Sequence, residues 1–310
     1  MIKSLVDNEK HEVRNMETMV QTYGLTKQYG RKIVLNNVSI NIQKGDIYGL
    51  IGKNGAGKTT LMKILLGLTS PKVGQIQLFG GEALHVARKK IGSLLETPAL
   101  YGKETAFENM KRFAILTNTS DSEICRLLDL VGLGNTGKKK AGQFSLGMRQ
   151  RLAIAIALMG DPEILILDEP INGLDPAGIK EIRDVILELN AKGVTFLISS
   201  HLLDELGKIA TRYGILSNGY LVEEISKEEL EERCRSFLVV RTDDGEAAAN
   251  LLQEQRGDIS FNRVQNDLHI LTYVESWELN AFLVRNGVKV HEMYVKSVGV
   301  ENFFIERMGR

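Results

Sequence analysis

One stretch of nine residues, Gly52-Lys53-Asn54-Gly55-Ala56-Gly57-Lys58-Thr59-Thr60, restricts this chain more than any other. The apolar run Ile47-Tyr48-Gly49-Leu50-Ile51 precedes it and Leu61-Met62-Lys63-Ile64-Leu65-Leu66 follows, so the local order reads strand, glycine-rich turn, helix. Four residues separate Gly52 from Gly57-Lys58-Thr59. At that spacing an almost side-chain-free backbone can wrap an anion, its N–H groups converging while the positive end of the new helix faces the phosphates. Gly52, Asn54, Gly55, Ala56, Gly57, Lys58, Thr59 and Thr60 are therefore the expected nucleotide-binding set. Lys58 is expected to reach the β- and γ-phosphates, and the Thr59 hydroxyl to ligate Mg2+. A plain turn before a helix would explain the glycines, but not the Lys and Thr in register with them.

The remaining bounds are broad. A length of 310 residues allows one large domain or a large and a small one. Apolar residues make up 43% and charged residues 25%, enough apolar material to bury a sizeable core. Lys plus Arg equals Asp plus Glu, so nothing global points to nucleic acid, and zero net charge leaves little repulsion against self-association. The apolar runs 153–159 and 164–167 fall far short of the roughly 18 residues a spanning helix needs. The first fifteen residues carry six charges and no apolar h-region, so a cytosolic protein is expected. Cys125 and Cys234 lack metal-ligand spacing and read as reduced thiols.

Along the chain, residues 1–18 form a patternless extension, and strand-like alternation begins near Val20. Buried strands are expected at Ile91 to Leu95, Ile164 to Leu167 and Val194 to Ser199. Two helical patterns, about Ala106 to Leu116 and Ser122 to Leu130, interrupt the sheet as a helical insertion and offer a docking surface. Ser145 is the expected N-cap of an almost wholly apolar helix, and Asn218-Gly219 signals a type I′ hairpin. Past Glu223 the chain becomes rich in Glu and Lys, with a solvated linking helix from Lys227 to Glu232. The rest runs βαββαβ, the order of a ferredoxin-like unit. The expected division is a cassette at 19–226 and an accessory domain at 227–310.

A P-loop alone admits kinases, GTPases, helicases and motors; the motifs after it narrow the choice. Phe144-Ser145-Leu146-Gly147-Met148, followed by Arg149-Gln150-Arg151, resembles the signature sequence of ATP-binding-cassette (ABC) ATPases. Leu167-Asp168-Glu169-Pro170 resembles their Walker B motif, Gly173-Leu174-Asp175 their D-loop and His201 their switch histidine. The resemblance runs from about Val20 to Val222. It implies an α/β P-loop NTPase cassette with a mixed sheet core, an antiparallel β-subdomain and a helical insertion, followed here by a small α+β domain.

The resemblance also implies roles. Asp168 would hold Mg2+ through coordinated water, and Glu169 would polarise the attacking water as general base; the plainer reading is two carboxylates capping a strand end. His201 would sense the γ-phosphate, where a lone histidine is otherwise often a satisfied core residue. Tyr29 resembles the aromatic that stacks on adenine, with Tyr23 the competitor read as a core strand residue. Ser145 and Gly147 would face away from their own P-loop, so two cassettes, identical or different, would sandwich each ATP between one P-loop and the partner's signature helix.

Two positions depart from the family's commonest pattern. The signature reads Ser-Leu-Gly-Met where many relatives carry Ser-Gly-Gly-Gln. Glu96 stands where most cassettes place the Q-loop glutamine. A carboxylate about 4 Å from a phosphate charge costs on the order of 4 kcal/mol at an effective dielectric near 20, unless Mg2+, a proton or distance relieves it. Glu96 is therefore expected as a Mg2+ ligand beside Thr59 and Asp168, or as a coupling residue. This Glu, the signature and the C-terminal domain together resemble the subgroup serving bacitracin resistance and lantibiotic self-protection. That resemblance implies an ATPase bound peripherally to the inner face of the membrane, driving separate permease chains that dock near 96–118. The competing reading, a soluble cassette ATPase acting on nucleic acid or ribosomes, goes with paired cassettes, coiled-coil inserts or zinc-binding cysteines, and this sequence shows none of them. A third reading, compatible with the first, makes the C-terminal domain a regulatory ligand binder.

Overall fold

The computed structural model describes residues 17–96, 99–296 and 299–309. The chain divides into two compact units, one running to Lys227 and taking in the chain again from Phe304, the other Glu228–Phe303.

In the first unit, β1 (Thr18–Tyr29) pairs antiparallel with β2 (Lys32–Val38), β3 (Asn41–Gln43) and β5 (Val73–Leu78). Beside this antiparallel layer lies a six-stranded sheet: β4 (Ile47–Ile51), β6 (Ile91–Leu94), β7 (Ile164–Asp168), β8 (Thr195–Ser200), β9 (Arg212–Ser217) and β10 (Tyr220–Ser226). Its order is β10-β9-β4-β8-β7-β6, parallel except for β10. Every residue of β4, β7 and β8 is buried, which is why these strands read as continuous apolar runs without alternation. The register sets Ile51 beside Ser200 and Asp168 beside Ser199. All three strands therefore end at one edge, where an open parallel sheet presents its ligand crevice.

The P-loop helix, Lys58–Leu65, is short but anchored: Leu61, Met62, Ile64 and Leu65 are fully buried in a core shared with Leu50, Ile166 and Leu197. Each such side chain contributes at most about 1.5–3 kcal/mol, so burial holds a helix that could not stand alone at this length. Gly67 follows its end at φ +77°, where a left-handed residue terminates a helix most cheaply. The insertion consists of helices Ala106–Thr117 and Asp121–Leu130. Thr105 and Glu108 form a reciprocal capping box, and Ser120 caps the second helix by accepting from Glu123 N. Asn218 and Gly219, at φ +49° and +82°, make the type I′ turn between β9 and β10.

The second unit carries β11 (Phe237–Thr242), a helix Gly245–Gln255, β12 (Phe261–Val264), β13 (Asp267–Ile270), a helix Ser276–Arg285 and β14 (Val290–Lys296). The all-antiparallel order β12-β13-β11-β14 with βαββαβ connectivity is ferredoxin-like. Leu238, Val240, Leu268 and Ile270 share one sheet face, and Leu252, Leu279 and Leu283 of the two helices pack on it.

Four expectations need amendment. From Phe304 the chain belongs to the first unit, not to an accessory domain ending at 310. Phe304 is fully buried against the Tyr213 ring, and Arg307 pairs with Glu223. Tyr23 is no core residue: it is 46% exposed, its hydroxyl donating to Gln77. The helix Lys227–Arg233 is not solvated all round, since Leu230 is buried. Of the expected 1–18 extension, 1–16 lie outside the described residues; Glu17 pairs with Lys44, and Thr18 opens β1. No helix among the described residues is long and apolar enough to cross a membrane.

Candidate nucleotide-binding site

The loop between β4 and its helix is held by glycines that no other residue could replace without movement. A Cβ on Gly52 would lie 2.4 Å from the Leu216 carbonyl oxygen. Gly57 sits at φ +112°, and its Cβ would meet Leu35 at 2.6 Å and the Val34 carbonyl at 2.9 Å. Gly57 is also the N-cap and no side chain caps the helix, so its first-turn N–H groups are offered to an anion. The Lys58 ammonium, almost buried, donates to the Gly52 carbonyl at 2.6 Å and lies 3.2 Å from Glu169 Oε1. That second approach satisfies ion-pair distance but not hydrogen-bond geometry, and the buried Oε1 accepts no hydrogen bond.

The end of β7 sets Asp168 and Glu169 in different surroundings. Asp168 is buried, accepts from Thr59 Oγ1 at 2.6 Å through Oδ2, and takes the Ser199 hydroxyl through Oδ1. Glu169 turns out of the strand at φ +50°, and its N–H is held by the Ser199 carbonyl (3.2 Å) and hydroxyl (2.9 Å). Its Oε2 meets His201 Nδ1 at 2.8 Å. His201 is thus a partially exposed residue that orients the carboxylate, not a core histidine.

Asn54, Gly55, Gly57, Lys58, Thr59, Thr60, Asp168 and Glu169 line one cleft of about 270 Å³. Gly52 contributes through its carbonyl to Lys58, and Ala56 through its carbonyl, which holds the Gly219 N–H at 3.1 Å. Three lining residues escaped the sequence reading: Lys32 and Val34 of β2, and Lys53 within the loop itself. Ser199 escaped it too, because only the β7–β8 register brings it to Asp168. Tyr29 stands at the tip of the β1–β2 hairpin, 49% exposed, with the Lys27 ammonium 4.8 Å from its ring centre, outside the cleft lining. Glu96 is also outside the lining; its Oε1 pairs with Lys63 at 2.9 Å.

Ser145 and Gly147 do not line this cleft either. Ser145 caps the helix Leu146–Ala157 by accepting from Met148 N, and Leu146 is partly exposed beside Gly173. Asp175 likewise caps Pro176–Ala191 through Gly178 N. Arg151 joins the signature helix to its surroundings: it donates to the Val131 and Gly132 carbonyls of the insertion and pairs with Glu181 at 3.2 Å.

A parallel sheet that brings a phosphate loop, a buried aspartate and a histidine-held glutamate to one crevice defines a P-loop nucleoside triphosphatase. A family model described as ABC transporter matches residues 35–172. The chain is 41% identical over 300 residues to the bacitracin transport ATP-binding protein BcrA of Enterococcus faecalis, covering 95% of this chain and 97% of that protein. It is 48% identical over 217 residues to the lantibiotic transport ATP-binding protein SrtF of Streptococcus pyogenes, covering 69% and 95%. A solved ATP-binding subunit of an ABC transporter superposes with a TM-score of 0.62 at 30% identity, over 70% of this chain and 93% of that one. A dimeric post-hydrolysis cassette bound to ADP and Pi superposes at 0.61 and 26% identity, over 67% and 99%. The chain belongs to the ATP-binding subunits of ABC transporters, and its activity is ATP hydrolysis.

Proposed function

We propose that this chain is the energy-coupling subunit of an exporter that removes a membrane-active peptide antibiotic of the bacitracin or lantibiotic kind, working from the cytoplasmic face with a separate membrane-spanning permease. The observation that carries this reading is the likeness to a bacitracin transport protein over 95% of the chain, which takes in the ferredoxin-like unit as well as the cassette.

Within the cleft, Lys58 and the open N–H groups of the P-loop helix hold the β- and γ-phosphates. Thr59 Oγ1 and Asp168 Oδ2, 2.6 Å apart, form an all-oxygen pair suited to Mg2+, which when bound would neutralise charge on the phosphates. Glu169 accepts the proton of the attacking water, and His201 fixes the direction of its carboxylate. One copy supplies no signature residue to its own cleft, so two copies complete each site, with the partner's Ser145 and Gly147 facing the γ-phosphate.

Expression with its permease in a sensitive host tests the reading. Bacitracin or lantibiotic tolerance should rise with the wild-type pair and not with Glu169→Gln, whose turnover should fall roughly 10²–10⁴-fold. Unchanged tolerance to every such peptide, with ATPase activity intact, would reject this class of substrate.

A further inference from the structure

Glu96 follows β6 by two residues, and Leu94 pairs with Leu167 immediately before Asp168. The β6–β7 register therefore brings this carboxylate out at the same sheet edge as the nucleotide cleft. Its backbone lies at φ +58°, a region a residue with a Cβ rarely adopts unless its surroundings hold it there. Lys63 approaches from the other side. It lies one helical turn beyond Thr59 on the P-loop helix, hence on the same face, and its ammonium donates to Glu96 Oε1 at 2.9 Å.

We propose that Lys63 is a positioning residue for the nucleotide site: it holds the Glu96 carboxylate against the P-loop helix and cancels its charge, which lets an acid stand beside a bound triphosphate. This rests on the reading of the cleft as an ATP site. Fold stability does not explain the pair, because both side chains are substantially exposed and such pairs add little. An unpaired carboxylate at this edge would instead repel the phosphates; because it is exposed, a water-like dielectric screens each charge to about twofold at about 10 Å, and the several charges of metal-free ATP together amount to roughly five- to tenfold in affinity.

The test is calorimetric binding of ATP in EDTA, where no hydrolysis follows, to the wild type, Lys63→Met, Lys63→Arg, Glu96→Gln and the Lys63→Met/Glu96→Gln double variant. Lys63→Met should weaken binding roughly tenfold, and Lys63→Arg should bind within about twofold of the wild type. In the Glu96→Gln background, Lys63→Met should cost clearly less than it does beside Glu96, because only the attraction of its own charge for the phosphates is then lost and no carboxylate is released toward them. An equal loss whether residue 96 is Glu or Gln would show that Lys63 acts on the phosphates directly, and no loss at all would show a mere surface pair; either overturns the proposal. Lys58→Ala is the control for the site, since ATP binding that survives it would reject the cleft reading itself.

Discussion

Tyr48 is the largest fully buried polar side chain on the strand that delivers the P-loop, and its hydroxyl donates to Glu224 Oε1 at 2.6 Å. Burial first, and then the Glu224 charge, push its phenol well above the ordinary value near 10. The folded state therefore holds this proton more tightly than the unfolded chain. Its contribution to stability is complete below about pH 10 and is lost as pH rises beyond that toward the folded value. Tyr48→Phe should cost about 1.5–3 kcal/mol at pH 7, because the hydrogen bond to a carboxylate disappears, while its stability should decline less steeply above pH 10. Urea midpoints of both proteins at pH 7 and 10.5 check this; parallel declines would contradict it. Individual residues were legible only where their chemistry is local. Lys58, Thr59, Asp168 and Glu169, which line the cleft, and His201, which meets Glu169, are legible because a motif or strand end announces each. Ser199 and the Lys63–Glu96 pair are not, since the contacts join residues 31 and 33 apart in sequence, the first through strand register and the second through the packing of the P-loop helix beside β6.

At the scale of elements, local rules read well. Ser145, Thr105 and Ser120 announce helix starts, and Asn218-Gly219 announces a hairpin, because each solves a backbone problem within a few residues. The far end of the chain is hard to read for the opposite reason: its place in the first unit rests on contacts some eighty to ninety residues back, Phe304 against Tyr213, Arg307 with Glu223 and the Met308 carbonyl with the Ser217 hydroxyl. Ser145 serves the element and, in the proposed sandwich, the partner's nucleotide, and two substitutions separate these roles. Ser145→Ala should lower stability by about 1 kcal/mol through the lost cap, whereas Ser145→Asn, itself a good cap, should melt near the wild type. Both should lose ATP-dependent pairing of two copies by light scattering. Normal pairing by the Asn variant would reduce Ser145 to a capping residue.

For the molecule as a whole, the proposed pairing of two copies turns on where the signature residues lie. The P-loop, Asp168 and Glu169 share a cleft, while Ser145 and Gly147 lie outside it on a helix tied through Arg151 to the insertion. ATP bound between two copies would bring the signature helices into place, and hydrolysis would release them, so that the insertions move with the chemical state. Glu169→Gln should trap the closed form by removing the base while leaving Lys58, Thr59 and Asp168 to bind nucleotide. The first measurement is therefore the mass in solution of Glu169→Gln protein with and without Mg-ATP. A dimer that forms only with Mg-ATP, and fails to form when Lys58 is also replaced by Ala, is the expected result. A monomer that nonetheless binds Mg-ATP would contradict two equivalent sites shared between copies of this chain.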